Sequence, residues 1–366
     1  MLVFSAVTTE SFRNDFRLYV AAAHLGLKHG FARIYEIDLQ RQAVAGLTGT
    51  DLNYQPFISP PLAAWLATPL APLSYQVGLL VWTSLLVICT LGTWWLIAPG
   101  HGGVRVAHLL LAVGFVPLGF AVSVGQLAPV IGLALAAAYL LIRADRPGLA
   151  GVALVVVWLK PQDALLVAPA LLVSGRVRPF LSWATASAVL GLVTLASLGG
   201  PGLAAYRALL AQAGGWELMQ RFSLPGQPFW GAWGTLVSLA VAVVTLVAAR
   251  RQRADLGLVM AAGISGSLLL SPYLGLQDLA LLVPAAWLAW RQGAPGWHFA
   301  LAAVGYTVLE LSLLLGPGPV LVAEVSWLLS LGLLRRDRGG APVAPSRGRR
   351  SAPAPPRPPG AVPAPR

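Results

Sequence analysis

The chain has 366 residues, 57% of them hydrophobic and only 10% charged. A mean hydropathy of +0.73 excludes an ordinary soluble domain and predicts an integral membrane protein, with room for roughly ten to thirteen crossings at about 20 apolar residues each. The net charge of +12 does not point to nucleic acid, because eight arginines and one aspartate from Arg335 onward supply +7 of it, and the single cysteine, Cys89, excludes a disulfide framework.

In chain order, "MLVFSAVTTESF" is too short and polar to span a bilayer. The segment after it needs a crossing on its N-terminal side, so a lost first helix or a mis-assigned start is expected. Residues 15–57 read as amphipathic: Phe16, Tyr19, Val20, Ala23, Leu27 and Phe31 recur near helical spacing, interleaved with Arg17, His24, Lys28 and Arg33. This stretch is predicted to lie along the membrane interface as the extracytoplasmic amphipathic loop of an N-terminal segment, 1–57. The Pro-rich "FISPPLAAWLATPLAPL" at 57–73 offers too few apolar residues between prolines to span and reads as re-entrant.

Apolar runs that read as crossings follow at about 74–97, 104–122, 126–143, 148–160, 162–174, 179–199, 229–249, 254–272, 277–291, 297–314 and 318–334. The fold class expected is all-α, a polytopic transmembrane domain over 58–334 with about 11 crossings plus the re-entrant piece. The runs 148–160 and 162–174 meet at "LKPQD", where Pro161 removes a backbone donor, so they form either two tilted crossings or one broken pair. Arg143, Arg146, Arg176, Arg178, "RRQR" at 250–253, Arg291 and the tail share one side of the alternation, which the positive-inside rule makes the cytoplasm of a cell membrane. The tail 335–366, built of Pro, Ala, Gly and Arg, cannot bury a core; it is predicted to be disordered and to meet anionic lipid head groups.

The opposite, extracytoplasmic face collects the residues capable of chemistry, and ionisable groups at membrane depth are few and costly. Asp15, between Arg13 and Arg17, reads either as the cap of the following helix or as a general base at the membrane surface, with Tyr19 holding a substrate ring. Lys160 either snorkels to the interface or holds a lipid phosphate, with Gln162 and Asp163 beside it. Gln126, after "SVG", offers an amide to a sugar hydroxyl or to a neighbouring helix. Arg221, in the long loop 200–228, is an anion contact or a partner of Glu217. In "SPYLGLQD", Tyr273, Gln277 and Asp278 are exposed by Pro272 and Gly275, and Asp278 also reads as a helix cap. No P-loop, GxGxxG or DxD-bearing domain is present to hold a nucleotide, and no CxxC, HExxH or paired histidines to hold a metal.

The succession "NDFRLYVAAAHLGLKHGFARIYEIDLQRQA", "FISPPLAAWLATPLAPLSYQVGLLVW", "SVGQLAPVIGLALAAAYLLIRADRPGLAG", "LKPQDALLVAPALLV" and "LSPYLGLQDLALLVPA" resembles glycosyltransferase family 87. This family contains polyprenol-phosphate-mannose-dependent α-mannosyltransferases of the GT-C fold. The resemblance implies Asp15 as base and places Gln126 and Lys160 in the active site. It also implies inverting single displacement of a sugar from a polyprenyl-phosphate donor to a lipid or glycan acceptor, with no cofactor. Ser59 stands where a tyrosine precedes the paired prolines, and Tyr273 where a histidine follows "SP". The competing expectations are a lipid-linked transporter or flippase, which predicts repeated halves not seen here, and a catalytically inactive membrane protein.

Overall fold

The computed structural model describes residues 14–50, 54–213 and 220–334. The residues before Asn14, with the expected lost first helix, Glu217 and the tail 335–366 lie outside them. The described residues are helical, without a strand: α1 (Asn14–His29), α2 (Ile37–Thr48), α3 (Pro61–Ala67), α4 (Tyr75–Ile97), α5 (Gly102–Gly114), α6 (Val116–Val124), α7 (Ala128–Arg143), α8 (Pro147–Leu154), α9 (Val167–Val173), α10 (Val177–Ala213), α11 (Gly234–Arg251), α12 (Leu256–Leu270), α13 (Leu282–Trp290), α14 (Gly296–Glu310), α15 (Ser312–Leu315) and α16 (Pro317–Leu333).

Three of these elements are long and apolar enough to cross a membrane: α4, α10, and α11 together with the 3-10 turn Pro228–Trp233 before it. Their outward Leu, Val, Ile and Trp side chains lie bare on the surface, as lipid-facing helices require. The run expected at 104–122 is broken, α5 and α6 meeting at Phe115 and Pro117 with a bend of 61°. Most of the other runs form apolar helices of 10–17 residues, below the length of an independent span, so the structure does not establish eleven crossings. The break at Pro161 is real: α8 gives way to a 3-10 stretch at Val155–Leu159, then to a second 3-10 turn at Pro161–Asp163, before α9 begins.

Two segments differ from expectation. Residues 200–213, expected as loop, continue α10 as a second helical piece after a break at Gly199 (φ 60, ψ −173), a conformation open essentially to glycine alone. The amphipathic reading of 15–57 fails for α1. Residues 16–23 are buried all round, including Arg17, because α2, α3, α4 and α6 close over this helix. Its core takes in Phe16, Tyr19, Ile34, Tyr35, Phe57, Trp82, Leu127, Leu159, Leu198 and Leu209, so residues on both sides of position 57 share one apolar interior. A second centre is α12, buried from Leu256 to Leu269 among α9, α11, α13 and α16.

Candidate active site

Four chain breaks deliver the polar groups. α6 stops at Gly125, whose φ of 82° is left-handed, and Gln126 N–H donates to Ala121 carbonyl at 2.8 Å. This is the glycine-terminated helix end that hands the next residue to a new direction; Pro129 then opens α7. The approach at Gly125 is tight. A Cβ there would sit 3.0 Å from Phe16 Cβ and 3.2 Å from Phe16 N, and the Gly125 carbonyl accepts from Trp82 Nε1 at 2.8 Å. Gln126 is thereby pinned against the start of α1. Lys160 stands between the two 3-10 turns in extended backbone (φ −152, ψ 83), as a residue before proline prefers. Asp278 lies in the 3-10 turn Leu276–Leu281, and its Oδ2 accepts from Gly275 N–H at 3.0 Å. Asp15 occupies the first turn of α1, where the helix dipole favours a negative charge.

These residues, separated by up to 263 positions in the sequence, meet. Gln126 is the shared partner: its side chain hydrogen-bonds the Asp15 carboxyl, while its Oε1 accepts from Lys160 Nζ at 3.1 Å and from the Tyr19 hydroxyl at 3.4 Å. Lys160 also pairs with Asp278 Oδ1. Lys160 is 9% exposed and Asp278 2%, so Lys160 does not snorkel and Asp278 combines its capping bond with an ion pair. Tyr19, one helical turn after Asp15, lies on the same face and packs against Trp82 with ring centroids 5.7 Å apart. Tyr273, half-buried, interacts with Lys160, Asp278 and Asp163.

The three carboxyls differ in access. Asp163 is 0% exposed and Asp278 nearly so, whereas Asp15 is half-buried. Burial raises the Asp15 carboxyl to about 6, with Asp278 adding to the rise; Lys160, the Gln126 hydrogen bond and Arg17 pull the other way. Burial likewise holds the Tyr19 hydroxyl well above its ordinary range, so it donates at neutral pH.

Other expected site residues stand apart. Gln162 and Gln277 are half-buried and make no hydrogen bond to the cluster; the Gln277 amide lies over Gly275. Arg221 is exposed, its guanidinium 5.7 Å from the Phe222 ring centroid and its carbonyl bonded to Gln227 Nε2. Asp163, named from the sequence only as a neighbour of Lys160, has both its carboxylate oxygens buried without a hydrogen-bond partner beside Lys160 and Asp278. Its signal was its place three residues after Lys160 across a proline turn. Ser59 interacts with the Tyr19 hydroxyl. Among the described residues no group of three His, Cys, Asp or Glu side chains is placed to hold a metal ion.

No curated protein and no solved structure matches the chain. The family model of glycosyltransferase family 87 matches residues 57–272, a stretch that includes Gln126 and Lys160 and stops just before Tyr273. With more than half of its length matched, on a scaffold of apolar helices, the chain belongs to glycosyltransferase family 87.

Proposed function

We propose that this glycosyltransferase moves a sugar, mannose by the resemblance above, from a polyprenyl-phosphate donor to a hydroxyl of a lipid or glycan acceptor on the extracytoplasmic side of the cell membrane. The carrying observation is the single cluster in which one reachable carboxyl, Asp15, shares Gln126 with a buried ammonium, Lys160.

The reaction is an inverting single displacement. Asp15 accepts the proton of the acceptor hydroxyl as that oxygen attacks the anomeric carbon. The bond from that carbon to the phosphate oxygen breaks, and the electron pair leaves with the polyprenyl phosphate. Lys160 carries three N–H donors; Gln126 and Asp278 take two, and the third serves the departing phosphate. The Tyr19 hydroxyl and Gln126 hold the acceptor oxygen beside Asp15. A carboxyl near 6 suits a base at neutral pH better than one near 4, because it is ionised and still takes a proton with useful driving force.

The test is transfer of labelled mannose from polyprenyl-phosphate-mannose by the purified protein in lipid nanodiscs. Asp15→Asn is expected to lower kcat by about 10²–10⁴-fold, the usual worth of a general base, while donor binding persists. Undiminished turnover by Asp15→Asn removes Asp15 as base.

A further inference from the structure

Between the start of α2 and the second piece of α10 lies a cleft of about 370 Å³, lined by Tyr35, Glu36, Asp38, Ala208, Leu209 and Gln212 among others. Its size falls within the range of small-molecule sites. Its existence depends on a close crossing: Gly202 of α10 sits against the backbone of Ala32, where a Cβ would come within 2.7 Å of the Ala32 carbonyl. The crossing anchors one end of the helix piece against the chain just before α2.

We propose that this cleft is a subsite for an uncharged sugar unit of the acceptor glycan. The inference rests on the transfer reaction above and specifies its acceptor. Position supports it. The Tyr35 ring, which forms one wall, stacks on Tyr206 at 4.3 Å between centroids. Tyr206 in turn interacts with Tyr273, and Tyr273 with Lys160 and Asp278. Tyr35, Tyr206 and Tyr273 thus form a row of three side chains leading from the cleft toward Lys160 and Asp278.

The lining chemistry selects the ligand class. Ala205, Ala208 and Leu209 give an apolar surface suited to the C–H face of a pyranose. Beside it are one uncommitted carboxylate and one amide: Asp38 and Gln212 make no hydrogen bond among the described residues, whereas both Glu36 oxygens accept from Arg33 and the Tyr35 hydroxyl is committed to the Ser59 carbonyl at 2.8 Å. Hydroxyl groups donate and accept, and so match carboxylate oxygens, an amide and the free N–H groups of the first turn of α2. An anionic head group does not fit. None of the lining residues is cationic: Arg33 is spent on Glu36 at 2.6 Å, and Arg207, next to Ala208 in sequence, does not line the cleft. Like-charge repulsion and loss of hydration both disfavour a phosphate there.

Saturation-transfer NMR on the full chain in nanodiscs tests the proposal, with methyl α-mannobioside and myo-inositol 1-phosphate as probes. Transfer to the mannobioside and not to the inositol phosphate is expected, and it should persist in Asp15→Asn. The double variant Asp38→Ala/Gln212→Ala should bind the mannobioside about tenfold more weakly, the scale of a lost hydrogen bond to a charged group. Ala208→Trp, at an exposed helix position that fills the cleft, should abolish the signal. No signal from the wild type, an undiminished signal in Ala208→Trp, or a preference for inositol phosphate overturns the subsite. If the wild type binds the mannobioside in the cleft but transfers no sugar from a polyprenyl-phosphate donor, the subsite stands and the transferase reading of Asp15 falls.

Discussion

Asp15 titrates where a small change of environment is visible in the rate. Its carboxyl is raised to about 6 by burial, and a base works only when ionised, so kcat/KM should climb as pH rises through about 6 and level off above it. Asp278 contributes to that rise and also occupies Lys160. Asp278→Asn removes the like charge and releases the ammonium toward Asp15, and both changes favour the ionised carboxylate. The acidic limb of the pH–rate profile should therefore move to lower pH, even though turnover falls; a limb that stays put or moves upward contradicts this assignment. Asp163 behaves differently because neither of its oxygens has a hydrogen bond to lose. Asp163→Asn should leave the melting temperature unchanged or raise it, since relief of the carboxyl's desolvation offsets the lost attraction to Lys160 and no hydrogen bond is broken. From the sequence, Asp15, Gln126, Lys160 and Asp278 could be singled out because each sits beside a helix-stopping Gly or Pro or at a helix start. Arg221 shares that irregular setting and does not reach the cluster, since loop position alone carries no information about which way a side chain travels in space.

At the scale of elements, the junction of α6 and α7 sets the geometry of the site. Gly125→Ala would require both a left-handed backbone that alanine resists and a Cβ at 3.0–3.2 Å from Phe16. The expected cost is about 1–3 kcal/mol, read as a lower melting temperature, together with a drop in transfer as Gln126 and α1 move apart. Full activity would show that the junction tolerates a shift. The identity of α1 was the least legible part of the fold. Its pattern of aromatic and basic residues fits an interfacial helix, but pattern analysis treats each segment as meeting one partner surface. α1 is covered by several helices at once, so even Arg17 is drawn inside, where it interacts with Asp15. Conversely, Pro161 marked a real break, because loss of a backbone donor acts locally whatever packs nearby.

Across the whole molecule, the helical class and the membrane setting were legible from composition alone, since no soluble core can use so much apolar surface. The number of spans was not. Several runs fold as helices of 10–17 residues or bend sharply, and hydropathy cannot distinguish a crossing from a half-helix buried in protein. The lipid-facing surface has its own test: Val189 is 56% exposed near the middle of the first piece of α10. Val189→Arg should cost about 2.5–3.5 kcal/mol of insertion free energy, seen as a lower fraction of membrane-integrated chain in an insertion assay. Arginine at buried Val167 would instead disturb packing against α12 and chiefly lower the melting temperature.

The bond between Lys160 and Asp278 joins residues 118 positions apart. A ribosome makes the chain from its N-terminus, so this ammonium leaves the exit tunnel long before its principal counter-ion has been synthesised. In that interval Gln126, already made, and Asp163, following three residues later, are its neighbours in the completed cluster. Asp15, made earlier still, also interacts with it, but the ion pair with Asp278 closes only after α12 has emerged, which makes completion of this centre a late event in the protein's biogenesis.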